Sequence, residues 1–179
     1  MVSNYTATKK FRNSDDYTPG GKNDKRPDRA TLVYTNLIRK HFKNTVPIVL
    51  GGIEASLRRV THYDYWSNRL RKPILFDAKA DYLIYGMGEI AIKEFSAALR
   101  DGNSPLDIRG VCYIAKEPKY EYIQLPSHQE CLDNKEKYID LFDAFYQNND
   151  PISANGLCQA VDSRFLIQNP PCDYLDEKE

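Results

Sequence analysis

Two short apolar runs, each closed by glycine, constrain the fold more than any other feature of the sequence. The first, VPIVLGG, ends at Gly51 and Gly52, and the second, ADYLIYG, ends at Gly86. Runs of this kind are typical of strands buried on both faces, as in a parallel sheet. A segment with helical spacing of apolar residues precedes the first run, and another follows the second. This alternation predicts an α/β fold with a mostly parallel sheet.

The two flanking segments each predict an amphipathic helix. In DRATLVYTNLIRKHF the apolar residues recur at steps of three and four, which predicts one buried stripe. The stripe consists of Ala30, Val33, Tyr34, Leu37, Ile38 and Phe42. In GEIAIKEFSAALRDG the same reasoning predicts burial of Ile92, Phe95 and Leu99, with Gly102 ending the helix.

The second half of the chain continues the mixed pattern. GVCYIAK and YEYIQL read as strands, the second near an edge or in a hairpin, and SRFLIQNPP reads as the last strand. Ser127 and Glu130 have the spacing of a capping box at a helix start. The helix that follows carries an apolar side formed by Tyr138, Ile139, Phe142, Phe145 and Tyr146.

Composition excludes several classes of protein. Apolar residues make up 41% and charged residues 28%, with 25 basic and 25 acidic side chains. This balance indicates neither disorder nor a generally basic nucleic-acid binder. The chain has no apolar run of membrane-spanning length and no secretory signal pattern, so we expect a cytoplasmic protein without membrane partners. The separations between Cys112, Cys131, Cys158 and Cys172 match no compact metal motif, so no metal ligand is predicted.

We divide the chain into four regions. Residues 1–27 form a polar, loop-rich segment, 28–115 the α/β sheet core, 116–168 a hairpin with the C-terminal helix and last strand, and 169–179 a linker. The stretch TPGGKNDKRP in the first region reads as a solvated connection. Its alternative use is a phosphate cradle, but such a loop normally follows a strand and opens a helix.

Ligands of open α/β sheets bind beyond the carboxyl ends of the strands. The loops there are GGIEAS, with Gly51, Gly52, Glu54 and Ser56, and GMGE, with Gly86, Met87, Gly88 and Glu89. Neither has the spacing of a dinucleotide fingerprint or a P-loop, so tight turns remain an equal alternative. Either glutamate could bind a ligand hydroxyl or act as a base. Either could equally be stabilised by the helix dipole alone.

A cationic and aromatic segment, LRRVTHYDYW, follows the first loop. It places Arg58 and Arg59 beside His62, Tyr63, Asp64, Tyr65 and Trp66. Such a patch could contact a phosphate, a carboxylate or another acidic surface. His62 and Asp64 would share one side of an extended segment and could form a base with its orienting acid. Packing of the three aromatic side chains against a neighbouring segment is the competing interpretation.

Four stretches together closely resemble the N-terminal region of YgiQ-type radical SAM proteins. They are TPGGKNDKRPDRA, PIVLGGIEASLRRVTHYDYW, ILFDAKADYLIYGMGE and FLIQNPP, and the resemblance extends over nearly the whole chain. It implies a domain that precedes a radical SAM barrel in a longer protein of unassigned reaction. The barrel would then lie beyond Glu179.

A looser resemblance concerns the fold. VLGGIEAS followed by ADYLIYGMGE looks like two strand-loop units of the cobalamin-binding-like domains that precede many radical SAM barrels. It implies a three-layer, flavodoxin-like or Rossmann-like domain whose first strand and helix are missing. An exposed apolar edge, and a homo-oligomer formed through it, would follow from that truncation.

The resemblance also bears on cofactors and partners. The CxxxCxxC cluster motif is absent from the chain, so a [4Fe-4S] cluster and S-adenosylmethionine are expected only in the full-length protein. The cobalt-ligating histidine motif is absent as well, which argues against cobalamin while leaving binding without a protein ligand open. We interpret the chain as an accessory domain that covers or docks onto the barrel and contacts substrate or cofactor. The alternative is an interaction domain with no small-molecule ligand.

Overall fold

The structure, a computed structural model, describes residues 4–175 of the 179-residue chain. A 3-10 turn at Pro19–Gly21 precedes the regular elements. In chain order these are α1 (Ala30–His41), β1 (Val49–Leu50), α2 (Gly52–Leu57), β2 (His62–Asp64), β3 (Arg69–Arg71), α3 (Ile74–Ala78), β4 (Tyr82–Ile84), α4 (Glu89–Arg100), β5 (Val111–Ala115), β6 (Ile123–Leu125), α5 (His128–Asp133), α6 (Lys135–Gln147), β7 (Leu157–Val161) and β8 (Arg164–Gln168).

Six of the strands form one sheet in the order β1-β4-β5-β8-β7-β6, and β2 and β3 form a separate two-stranded hairpin. The two strands on which the prediction of parallel pairing rested, β1 and β4, are parallel, as are β6 and β7. The remaining three pairings, β4–β5, β5–β8 and β7–β8, are antiparallel. The predicted α/β class is confirmed, but the sheet is mixed and parallel pairing is confined to its two sides.

Helices cover both faces of the sheet, which gives three layers. On one face, Leu83 of β4 and Leu166 of β8 pack with Leu75 of α3 and Leu141 of α6 in the largest apolar cluster. The opposite face holds α4, whose buried Phe95 packs with residues of β4 and β5. This arrangement agrees with the flavodoxin-like or Rossmann-like, three-layer architecture that was expected.

The apolar stripe predicted for the first helix is not buried. Val33, Tyr34, Leu37, Ile38 and Phe42 are all exposed. The helix instead turns Leu32 toward the main core and buries Thr35, whose hydroxyl bonds to the Thr31 carbonyl at 2.8 Å. Helical spacing predicted the helix correctly, but it could not tell which of two apolar sides faces this domain.

Helices α4 and α6 also leave part of their predicted apolar sides exposed. In α4, Phe95 is buried as predicted, whereas Ile92 and Leu99 are exposed. In α6 the buried residue is Leu141, and Tyr138 and Phe145 are only partly buried. The other members of the predicted side, Ile139, Phe142 and Tyr146, are exposed. Apolar side chains therefore remain on the surface of three helices.

The sheet edges were predicted unequally well. β6 lies at one edge, as its alternating pattern indicated, but it pairs with β7 and not with β5, so the expected hairpin is absent there. β1 lies at the other edge, and within residues 4–175 it pairs only with β4. The capping box is confirmed, because the Ser127 hydroxyl accepts from the Glu130 amide and the Glu130 carboxylate accepts from Ser127.

Candidate functional site

The two glycine loops meet at one edge of the sheet. Because β1 and β4 are parallel, their carboxyl ends are neighbours, and their connections run to opposite faces, α2 to one and α4 to the other. This is the geometry of a topological switch point, where open α/β sheets bind ligands. A groove of about 300 Å³ lies there, lined by Val49, Leu50, Gly51, Gly52, Ile84, Gly86, Gly88 and Ile92.

Backbone conformation explains two of these glycines. Gly52 has φ +80° and Gly86 has φ +70°, both in the left-handed region that side chains with a Cβ rarely adopt. The two loops are also joined directly, because the Gly86 amide donates to the Ser56 hydroxyl at 3.3 Å. The two loops therefore face each other across the groove.

The Glu54 carboxylate is held by neighbouring side chains, which does not suit a free general base. Its carboxylate accepts from Arg58 Nη1 at 2.8 Å and from the Thr31 hydroxyl at 3.3 Å. Partial burial raises its pKa, but nearby positive charge, including Arg58, outweighs this and lowers the pKa overall. Glu89 is exposed in the first turn of α4.

Arg58 connects the first loop to the aromatic segment. It is 8% exposed, and its Nε donates to His62 Nε2 at 2.9 Å. That donation requires His62 to accept at Nε2, and Nδ1 then donates to the Val60 carbonyl at 3.1 Å. Burial, followed by the neighbouring Arg58 charge, lowers the pKa of His62 to about 4. The imidazole is therefore neutral near pH 7.

His62 and Asp64 share one side of β2, but they do not act on each other. Asp64 accepts from Arg29 Nη2 at 2.6 Å and from the Ser67 hydroxyl. Burial opposes ionisation of Asp64, but the bonds from Ser67 and Arg29 hold its pKa well below the usual range. The suggested base with its orienting acid is therefore not assembled in this structure.

Arg59 is buried and has no carboxylate partner among residues 4–175. It is 5% exposed, and its guanidinium lies 4.3 Å from the centre of the Tyr85 ring and 4.2 Å from that of Phe145. Nε donates to Gln168 at 2.8 Å, and the other nitrogens donate to the Ser56 carbonyl and the Asn149 side chain. Desolvation lowers its pKa. A second cavity of about 280 Å³ borders Arg59, Tyr85 and Met87.

Two cations that follow the segment along the chain are paired with carboxylates. Arg71 pairs with Asp77 at 2.7 Å and Lys72 pairs with Asp162 at 2.5 Å. Because Arg58 and Arg59 are also buried, these cations do not form one exposed basic patch.

The largest part of the aromatic segment lines a third cavity, of about 460 Å³. We call it the Arg58 cavity. Its lining comes from two separate stretches, namely Tyr5, Thr6, Ala7, Arg12 and Arg29 on one side and Leu57, Arg58, His62, Tyr63, Asp64, Tyr65 and Trp66 on the other. Sequence reasoning placed Tyr5, Thr6, Ala7 and Arg12 in the polar, loop-rich segment 1–27 and placed Arg29 in the sheet core. The cation-rich pattern around Arg12 and Arg29 was the available signal, but nothing local joined it to residue 58.

The stretch FLIQNPP also has a role that sequence reasoning missed. Asn169 is 1% exposed and donates to the carbonyls of Leu106 and Ile108 at 2.8 and 2.7 Å. Its own carbonyl accepts from the Tyr85 hydroxyl at 2.6 Å. The chain is therefore held in place where it leaves β8.

The cysteines do not form a metal site. Cys112, Cys131, Cys158 and Cys172 are buried free thiols, and burial raises the pKa of each. Within residues 4–175 no group of three or more His, Cys, Asp or Glu side chains could hold a metal ion. These residues do not fit an iron-sulfur cluster. No helix in the same range combines the length and apolar character that a membrane span needs.

Comparison with known proteins gives a consistent assignment. The family described as Radical SAM N-terminal matches residues 1–179. A UPF0313 protein of Fusobacterium nucleatum is 60% identical over 99% of this chain and 32% of its own length. UPF0313 proteins of Thermotoga neapolitana and Clostridium botulinum strain 657 are 50% and 47% identical over 100% of this chain, covering 32% and 29% of theirs.

The chain thus spans about a third of the length of these relatives, which are longer than the matched domain. No solved structure matches it. The extent of the family match and the level of identity identify the chain as a member of the radical SAM N-terminal family found in UPF0313 proteins.

Proposed function

We propose that this domain is the accessory N-terminal part of a radical SAM enzyme and that it docks onto the catalytic barrel through the switch-point edge of its sheet. The family match and the greater length of the relatives support a following catalytic part. In such a protein the [4Fe-4S] cluster and S-adenosylmethionine would belong to that part. The cluster would supply the electron for reductive cleavage, and this domain would cover the barrel.

The observation that carries the proposal is the exposed apolar surface beside the groove. Ile53 is 76% exposed and Met87 is 56% exposed, and each is the chain neighbour of a groove glycine. Both lie where the carboxyl ends of β1 and β4 meet. Large apolar side chains concentrated at one place on a surface are characteristic of interaction sites.

The course of the chain after β8 favours the same edge. β4 and β8 are both antiparallel to β5, so they run in the same direction and their carboxyl ends lie at one edge. Tyr174 borders the second cavity together with Met87. The polypeptide therefore leaves β8 on the side that we propose for docking.

In this proposal, the exposed apolar and aromatic side chains of LRRVTHYDYW contact the barrel. Leu57, Tyr63 and Tyr65 are exposed, whereas Arg58, Arg59 and His62 are buried. Glu54 and Ser56 support the loop through Arg58 and Gly86, and Glu89 is exposed at the start of α4. The unpaired thiols fit a reducing compartment, so we place the protein in the cytoplasm.

A specific observation favours docking without a small molecule in the groove. Among the described residues, the groove is lined by glycine and aliphatic residues, and none of them has a polar side chain that could orient a ligand. Ligand sites usually combine apolar walls with a few directed polar groups. The groove itself is therefore better suited to receive a side chain of the barrel than a substrate.

Hydrogen exchange tests the docking surface. We expect amides of 52–58 and 85–89 to exchange more slowly in a protein that includes the barrel than in the domain alone. The double variant Ile53→Asp/Met87→Asp should remove this protection. Val46, which is 78% exposed before β1 and therefore at the opposite edge, provides the control Val46→Asp. Equal exchange with and without the barrel would contradict the proposal.

A further inference from the structure

We propose that the Arg58 cavity binds a small organic anion, a carboxylate or phosphate ester attached to a flat ring. This cavity is separate from the switch-point groove, although Leu57, Tyr63 and Tyr65 line it and also belong to the proposed docking surface. The proposal does not depend on docking, since the described residues that line the cavity all lie within 5–66 of this domain.

The first observation is an unsatisfied donor on a buried cation. Arg58 Nε donates to His62 and Nη1 donates to Glu54, but the buried Nη2 has no partner among the described residues. Buried donors are nearly always satisfied in native structures, and an exception needs an explanation. Because Arg58 lines the cavity, an oxygen anion that enters beside it would supply the missing acceptor with a small shift of the side chain.

The second observation is uncompensated positive charge around the cavity. Arg29 is paired with Asp64, and Arg58 is paired with Glu54. Arg12 forms no ion pair within residues 4–175, and its Nε donates only to the Tyr5 carbonyl at 2.9 Å. Lys9 Nζ lies 4.6 Å from the centre of the Tyr65 ring and likewise has no carboxylate partner in that range. The cavity therefore favours an anion over a neutral ligand or a cation.

The third observation is the aromatic lining. The centres of the Tyr5 and Trp66 rings are 4.6 Å apart, and the angle between the ring planes is 48°. Tyr63 and Tyr65 complete this wall of the cavity. A flat ring can pack against such a surface while its charged group reaches the arginines. A volume of about 460 Å³ falls within the usual range for small-molecule sites. Together the two walls select a ligand with one anionic end and one planar end.

Calorimetric titration of the full-length protein with phenyl phosphate tests this assignment, with benzoate distinguishing a carboxylate from a phosphate. Two controls separate these groups, since inorganic phosphate has the anionic group without the ring and phenol has the ring without the anionic group. We expect saturable binding of at least one ringed anion, weaker by about tenfold or more for phosphate or phenol alone. Binding should also weaken as salt concentration rises.

Variants assign the binding to this cavity. Arg58→Gln should weaken it by about tenfold or more, and Trp66→Leu should weaken it too. Arg12→Gln, an exposed position, decides the matter if Arg58→Gln does not fold. Arg100→Gln, at an exposed arginine of α4, should leave binding unchanged. Absence of binding by both ringed anions, or binding unaffected by Arg12→Gln and Trp66→Leu, would overturn the proposal.

Discussion

The Arg59 guanidinium stacks on the Tyr85 ring at 4.3 Å and joins α2 to the end of β4. Its hydrogen bonds extend this link to Gln168 at the end of β8 and to Asn149 after α6. One side chain thereby connects the parallel side of the sheet with its antiparallel centre. Arg59 therefore holds the two glycine loops of the candidate site in position.

We expect Arg59→Met to lower the free energy of unfolding by about 3 kcal/mol, because it leaves buried acceptors unsatisfied. Arg59→Lys should not restore stability, since an ammonium group lacks the planar geometry that bridges two rings and several acceptors. Urea denaturation gives the comparison. Arg69→Met, at an exposed arginine of β3, is the control and should change stability by less than about 0.5 kcal/mol.

Gly110 allows the segment after β8 to pass close to the start of β5. It has φ +75°, and an added Cβ would lie 2.5 Å from Cys172 Sγ. Gly110→Ala should therefore cost about 2 to 4 kcal/mol of stability, combining backbone strain with overpacking. Gly102→Ala has a similar φ of +73° in open space and should cost only about 1 kcal/mol.

A double-mutant cycle separates the two causes. Cys172→Ala removes the sulfur that the new methyl group would strike, so the cost of Gly110→Ala should be smaller in that background. The cost that remains reports the positive φ. Equal costs in both backgrounds would show that the Cys172 contact is irrelevant.

Stability should fall in mild acid because His62 is held neutral. Its pKa of about 4 lies below the ordinary histidine value of 6.5, so the unfolded chain binds the proton more readily. The favourable contribution is complete above pH 6.5 and is lost as the pH falls toward 4, by up to about 3 kcal/mol. Chemical denaturation at pH 7 and pH 4.5 measures the difference.

His62→Gln should reduce that difference, since an amide oxygen can accept from Arg58 without titrating. It should not abolish it, because burial also lowers the pKa of His128. His41→Gln, at an exposed position, should leave the profile as it is. An undiminished acid sensitivity in His62→Gln would exclude His62 as its source.

The capping box of α5 gives a local test. Ser127→Ala removes the oxygen that accepts from the Glu130 amide at 3.2 Å and should cost about 1 kcal/mol. Ser163→Ala lies in the turn between β7 and β8 and should be nearly neutral. Thermal unfolding of both variants under one set of conditions makes the comparison.

The sequence predicted the features that depend on neighbouring residues. The glycine ends of β1 and β4 and the capping box follow from local rules on turns and helix ends. The hairpin of β2 with β3 was missed because each of its strands has only three residues, and the strand at 157–161 was missed because LCQAV lacks an alternating pattern. Strand direction was not predictable beyond β4, since it depends on pairings between distant segments.

The candidate site divides in the same way. Facing glycine loops could be inferred because parallel neighbours bring their carboxyl ends together. The contact of Tyr5 with Trp66 could not, because the two residues lie far apart in the chain and no periodicity joins them. The exposed stripe of α1 was misread as core because an apolar side does not reveal whether its partner belongs to the same domain.

The anchoring of Asn169 has a mechanical consequence. Its side chain and carbonyl are tied to Leu106, Ile108 and Tyr85, and Gly110 donates to the Pro170 carbonyl at 2.7 Å. A force applied to the segment after Pro170 would be transmitted directly to the centre of the sheet. It would not be taken up by the extension of a flexible linker. The segment after β8 is therefore firmly attached to the sheet. A domain joined to this segment should reorient together with the sheet as one rigid body.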